Sequence, residues 1–150
     1  MEMSGEERIA APRERVWAAL NNPKVLRRCI PGCEALEATS PTEFVATLKL
    51  KLGPISTSVK CNVTLSDLKP PESYKISVEG SGGFAASVKS SADVSLAEVD
   101  GGETLLTYKT SAKIGGKLAL LGSKLIESSS RKLATQFFTK LGKVIAKTAA

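Results

Sequence analysis

GGKLALLGSKLIESSSRKLATQFFTKLGKVI, residues 115–145, is the stretch on which the fold of this chain turns. After Gly115-Gly116 the apolar residues recur at steps of three and four. Leu118, Leu121, Leu125, Ser129, Leu133, Phe137, Leu141 and Ile145 mark one stripe, which Phe138 and Val144 widen. Lys117, Lys124, Arg131, Lys132, Lys140, Lys143 and Lys147 fall mainly on the other side. The spacing predicts one amphipathic helix of roughly 30 residues, about 45 Å at 1.5 Å per residue. Such a helix needs a partner of matching length to cover its apolar face.

The partner lies immediately upstream. From residue 34 to residue 114 the period is two rather than 3.6. Phe44, Ala46, Leu48, Leu50 and Leu52 alternate with Val45, Thr47, Lys49 and Lys51. Ile55, Thr57, Val59, Cys61, Val63 and Leu65 do the same, followed by Tyr74, Ile76 and Val78. Phe84, Ala86, Val88, Ser90, Ala92, Val94 and Leu96 form the next set, and Leu106, Tyr108, Thr110, Ala112 and Ile114 the last. This alternation predicts antiparallel strands with one wet and one buried face. Ser40-Pro41-Thr42, Gly53-Pro54, Lys69-Pro70-Pro71-Glu72, Gly80 to Gly83 and Asp100-Gly101-Gly102 supply the turns. Connections this short predict a meander. Two of the strands pass about ten residues, and long strands in one sheet must coil, which makes a concave face. That face is the surface in the chain on which the long helix can lie.

The first third completes the order. Residues 2–9 read as a polar edge strand. Pro12 opens a short helix with Val16, Trp17 and Leu20 on its apolar side, and Asn21, Asn22 and Pro23 stop it. A second short helix runs from Pro23 to about Arg28 and presents Val25 and Leu26. Ile30-Pro31-Gly32-Cys33 is a tight turn. The expected fold class is therefore α+β: about seven strands in a curved antiparallel sheet, two short helices after the first strand, and a long C-terminal helix. The 150 residues, 42% hydrophobic and 24% charged, suit one ordered domain over 1–150.

Composition narrows the chemistry. There is no histidine, so the commonest general base is missing. No G-x-S-x-G and no phosphate-cradling GxxxxGK[ST] is present, and Gly80, Gly82 and Gly83 lead into a strand rather than a helix. Glu34, Asp67, Glu79, Asp93, Glu98 and Glu103 fall mostly on the polar phase, where solvated charge is expected. Cys29, Cys33 and Cys61 are an odd set without partners for a four-ligand metal site, and are read as reduced packing residues. No catalytic residue and no metal ligand is expected. Residues 1–20 carry seven charges in place of an apolar signal region, and no stretch approaches about 18 apolar residues. A cytoplasmic location follows as the expectation. The net charge of +6 permits a weak contact with an anionic membrane surface. Nucleic acid is not expected, because exposed aromatics interleaved with basic residues are lacking.

The buried phase carries the functional signal. Ala46, Val88, Ser90, Ala92, Thr110 and Ala112 are small for a wall that faces a long helix, and Ser129 and Ala134 on the helix are small too. Such a wall either lets the helix approach closely or leaves a void.

Local sequence adds a resemblance. The order of elements is that of the helix-grip fold of START-like (SRPBCC) lipid carriers, polyketide cyclases and plant pathogenesis-related proteins. PRERVWAAL at 12–20, Asn22-Pro23, Leu26 and CIPGCE at 29–34 resemble the opening segment of the G-subunit family of carbon monoxide dehydrogenase. GGKLA at 115–119, LGSKLI at 121–126 and Phe137-Phe138 are similar to that family's sheet-to-helix junction and later helix.

The resemblance implies a non-catalytic accessory protein of a molybdenum-containing carbon monoxide dehydrogenase or related hydroxylase. It implies dehydrogenase subunits as partners, no tightly bound cofactor, and a quinone or lipid-like molecule as ligand. It also implies recruitment or coupling to the inner face of the cell membrane. Many members of that family carry a C-terminal membrane-binding extension, which a chain ending at Ala150 is expected to lack. With the fold it implies a ligand cavity between sheet and long helix, walled by Trp17, Leu26, Ile30, Leu48, Leu50, Val88, Ala92, Leu106, Tyr108, Thr110, Leu121, Leu125, Ser129, Leu133 and Phe137. The mouth is expected beside Val25, Leu26 and Ile30, with Tyr108 and Thr110 offering polar contacts to a carbonyl oxygen. Two other roles are compatible with the residues. One is an assembly or recruitment factor acting through its surface. The other is a cyclase-type enzyme, which requires a titratable group inside the cavity.

Overall fold

Seven strands form one antiparallel sheet in the order β1-β7-β6-β5-β4-β3-β2 in the computed structural model. It describes residues 2–52, 55–82 and 86–148, leaving aside the side chains of residues 50, 52, 55, 86, 117, 118 and 148. The strands are β1 (Glu2–Ile9), β2 (Cys33–Ser40), β3 (Glu43–Leu52), β4 (Ile55–Lys69), β5 (Ser73–Gly82), β6 (Ala86–Val99) and β7 (Glu103–Gly116). Between β1 and β2 lie helices α1 (Arg13–Leu20) and α2 (Pro23–Cys29), and after β7 comes α3 (Ser123–Thr148).

β2 to β7 form the expected meander, and β1 closes onto β7 from Glu2↔Ser111 to Ile9↔Thr104, at the sheet edge where its polar sequence belongs. α1 and α2 carry the chain to the opposite edge, where α2 packs against β2. Asn22 caps α2 by accepting from the Lys24 N–H at 3.0 Å, with Pro23 in the first turn where no donor is lost. The buried Thr104 hydroxyl donates to the Ala11 carbonyl at 2.7 Å and ties β7 to the lead-in of α1.

The structure departs from the sequence reading in three places. The long helix has 26 residues, not 30, because Lys117–Leu121 forms a separate 3₁₀ turn and Gly122, at φ +88°, breaks the path into α3. Only a residue without a Cβ takes that backbone angle freely. Gly80 and Gly82 belong to β5 rather than to a turn. Both lie against β4, and a Cβ at Gly80 would stand 2.9 Å from the Cys61 sulfur.

The third departure is the phase of α3. Its buried residues are Ile126, Leu141, Val144 and Ile145, whereas Leu125, Ser129 and Leu133 are partly exposed. At about 100° per residue, each step of four advances the stripe by about 40°, so Leu125 and Ile145 lie roughly 200° apart. A line drawn through steps of four winds around the helix. Ile126, Ala134, Phe137, Leu141 and Val144 fit within about 80° and form the face that meets the sheet.

The main core joins Ile9, Phe44, Leu65, Tyr74, Val94, Leu96 and Leu106 of the sheet to Val16 and Leu20 of α1 and to Leu141, Val144 and Ile145 of α3. A smaller cluster of Ala46, Val59 and Cys61 sits further along, under Ile114 and Leu121. Leu36 and Val63 pack against both clusters, and residues of both line the cavity described next.

Candidate ligand cavity

A cavity of about 310 Å³ lies between the sheet and α3. Its floor is the inward phase of five strands: Phe44, Ala46 and Leu48 of β3; Cys61, Val63 and Leu65 of β4; Tyr74, Ile76 and Val78 of β5; Ala92 and Val94 of β6; Leu106 and Tyr108 of β7. Leu36 of β2 and Leu20 of α1 close its sides. Ala134, Phe137 and Phe138 of α3 form its roof, and Leu26 and Ile30 of α2 and the following turn stand at one end. Small side chains in its wall, Ala46 and Ala92 on the sheet and Ala134 on the helix, leave room for the void.

Of the residues expected on this wall, Leu26, Ile30, Leu48, Ala92, Leu106, Tyr108 and Phe137 are brought together there. The others are placed elsewhere. Trp17 backs the wall, its ring edge-on to Tyr74 with centroids 5.1 Å apart. Thr110 donates its hydroxyl to the Met3 carbonyl at 3.1 Å, so it clamps β1 to β7. Val88 lies four residues beyond Ala92 on β6, about 13 Å along the strand. Leu121 packs on the smaller cluster. Ser129 and Leu133 line an outer groove, and Leu125 and Ser129 are turned away by the phase of α3. The side chain of Leu50 lies outside the described residues, as do Phe84 and the Gly53-Pro54 turn.

Sequence reasoning left out Leu36, Cys61, Val63, Tyr74, Ile76, Val78 and Phe138. For β4 and β5 the signal was present. Their inward residues have the same alternation as those of β3 and β7, and the middle of a sheet is where a concave floor is deepest.

The wall is almost wholly apolar. Among the described residues its polar side-chain groups are those of Tyr74, Tyr108 and Cys61, and no charged residue lines it. Burial pushes the Tyr74 phenol far above the ordinary value of 10.0, so it remains a neutral hydroxyl. Burial likewise raises the thiols of Cys29, Cys33 and Cys61, the last also through the neighbouring Cys33. Tyr108 stacks on Phe138 with centroids 5.5 Å apart, and Phe137 meets Phe138 edge-on at 5.2 Å. Such a chamber can hold an apolar molecule by burial and offer it two hydroxyls. Among the described residues no group of three His, Cys, Asp or Glu side chains converges as a metal site. No described helix is long and apolar enough to cross a membrane.

Comparison with known proteins places this geometry in context. The family model of CoxG, the G subunit of carbon monoxide dehydrogenase, matches residues 5–146. A conserved protein from Geobacillus kaustophilus is similar over 99% of this chain and 97% of its own, with 31% identity and a TM-score of 0.94. A START superfamily protein from Mycobacterium smegmatis shares the fold at 10% identity, covering 98% of each chain with a TM-score of 0.75. An aromatase/cyclase from Streptomyces sp. R1128 shares it at 14% identity, covering 100% of this chain and 96% of its own with a TM-score of 0.69. Among curated proteins nothing matches significantly.

Proposed function

We propose that this chain, which belongs to the CoxG family of carbon monoxide dehydrogenase, is a non-catalytic accessory protein that carries a hydrophobic small molecule, a quinone or a lipid-like compound, between its sheet and α3. The enzyme it serves is a molybdenum-containing carbon monoxide dehydrogenase or a relative of it, and carriage couples that enzyme to the membrane at its inner face. The observation behind this reading is the cavity itself. Its volume of about 310 Å³ reaches the lower end of the roughly 300–1,000 Å³ of small-molecule sites. Its wall is apolar, and Ile30 at the α2 end also lines an outer groove.

A cyclase-type reading has one observation in its favour, the two phenols inside the cavity. Proton abstraction needs a base, and among the described residues the cavity lining includes no carboxylate, amine or imidazole. The neutral Tyr74 hydroxyl can only take part in hydrogen bonding. Carriage therefore accounts for the site better than turnover.

Native mass spectrometry with lipid extraction, on protein purified from a quinone-containing host, tests carriage. A co-purifying quinone or lipid that is lost in Ala92→Phe supports it, since the new ring occupies space at the cavity floor. A clean apo mass, unchanged after incubation with quinones, removes it. Pull-down of dehydrogenase subunits with the same variant separates carriage from recruitment, because docking through the surface survives when the cavity is filled.

A further inference from the structure

Outside the cavity, two grooves of about 520 and 590 Å³ share Pro31, Gly32, Lys49 and Gln136. The first is also lined by Arg27, Arg28 and Lys140, and the second by Lys51 and Lys132. Ile30 lines both the first groove and the cavity, so the basic groove and the apolar interior share a wall. We propose that this collar of six cations holds the anionic head of an amphipathic ligand whose apolar tail lies in the cavity. The inference rests on the carrier reading and narrows its ligand from a quinone or lipid-like compound to the lipid-like class: a long-chain carboxylate, phosphate or similar anion.

The collar is set by the fold. α2 supplies Arg27 and Arg28, and the turn after it lies flat on β3, where the Lys49 N–H donates to the Gly32 carbonyl at 2.8 Å. A Cβ on Gly32 would run into the Lys49 carbonyl, so the turn comes this close only with glycine. α3 supplies Lys132, Gln136 and Lys140 at steps of four, one above another.

The grooves gather cations with little carboxylate to balance them. Outside the grooves, four cations are paired with carboxylates: Arg8 with Glu103, Arg13 with Glu98, Lys89 with Glu79 and Arg131 with Glu127. The grooves contain six cations and one carboxylate, Glu34. Arg27 donates to the Glu34 backbone carbonyl at 3.1 Å. Among the described residues, the other five side chains have no hydrogen-bond or ion-pair partner. Converging like charges repel one another, and an anion seated among them removes that repulsion while accepting charge-assisted hydrogen bonds. The first groove is concave and adjoins the apolar chamber at Ile30, which matches a small head group attached to a tail.

The test compares dodecanoate with dodecan-1-ol, equal in chain length, by titration into the full chain and into Arg27→Gln/Lys49→Gln/Lys140→Gln. All three substituted residues are exposed, and circular dichroism checks that the variant is folded. The expected result is about tenfold tighter binding of the acid than the alcohol, a preference that weakens with salt. In the variant the preference disappears while alcohol binding is unchanged. Equal binding of acid and alcohol by the native protein overturns the collar and leaves carriage standing. Binding of neither overturns the collar, and carriage falls with it when the apo mass is also unchanged after incubation with quinones. A preference that persists in the variant overturns the collar. So does adhesion to phosphatidylglycerol but not phosphatidylcholine vesicles that the variant loses while acid and alcohol bind alike, which assigns the cations to a membrane surface.

Discussion

The Tyr108 phenol lies across Gly5, its partner in the β1–β7 ladder, so that a Cβ on residue 5 would stand 2.5 Å from the Tyr108 oxygen. The other side of the ring stacks on Phe138 of the cavity roof. Glycine in a strand usually weakens it, but here the missing side chain is the space in which a wall residue sits. Gly5→Ala should therefore push the ring off Phe138 and cost about 1–3 kcal/mol, the usual range for overpacking. The same substitution in a Tyr108→Ala background should cost much less. Denaturant melts of the four proteins of this cycle measure the coupling, and equal costs in both backgrounds would refute it.

The phase of α3 makes a second prediction. Leu141 is fully buried in the main core, while Leu125 is partly exposed and belongs to neither core cluster. Leu141→Ala should cost about 2–5 kcal/mol. Leu125→Ala should cost less than about 1 kcal/mol, since little burial is lost. Comparable losses at the two positions would show that the helix face has been misplaced.

This contrast also marks what the sequence made legible. The strands were plain because period two accumulates no error: a residue such as Ala92 stays in phase with Val94 and Leu96 along all of β6. The helix was plain as a helix, but its face was not, since 3.6 lies between the steps of three and four that an apolar stripe offers. Leu125, Ser129 and Leu133 satisfied the spacing and missed the cavity, whereas Ala134 and Phe138 line it. Thr110 shows a different limit. Its inward phase was correct, but its hydroxyl is taken by Met3, more than 100 residues away in sequence. The basic collar was the least legible feature. Lys132 and Lys140 look like the solvated side of an amphipathic helix until α2 and β3 bring Arg27, Arg28 and Lys49 beside them.

Tyr74 makes stability depend on pH at the alkaline end. Its ordinary value is 10.0, and burial places the folded value well above that. The folded state thus keeps the proton while the unfolded state releases it. Stability is fully present below about pH 10 and declines above it, by about 1.4 kcal/mol per pH unit for this group alone, until the folded phenol ionises. Tyr74→Phe keeps the ring against Trp17 and removes the hydroxyl. Between pH 10 and 11 the native protein should lose stability faster than the variant in urea melts. Parallel curves would mean that the phenol reaches water in the folded state.

Cys61 gives a chemical probe of occupancy. Its sulfur lies on the cavity floor, it is 4% exposed, and burial raises its thiol above the ordinary value of 9.0. Because the thiolate is the reactive form, alkylation by iodoacetamide should be slow at pH 7 and accelerate as the pH approaches and passes 9. Cys33 lies in the outer groove and not on the cavity wall. Adding dodecan-1-ol, which has no charge to engage the cations, should therefore slow labelling of Cys61 and leave Cys33 unchanged, as read by peptide mass mapping after timed quenching. Protection of Cys61 alone places the chain of the ligand between β4 and α3. Binding without protection would mean that the ligand sits elsewhere on the protein, since a tail lying over Ala46 and Ala134 cannot avoid covering the sulfur beside them.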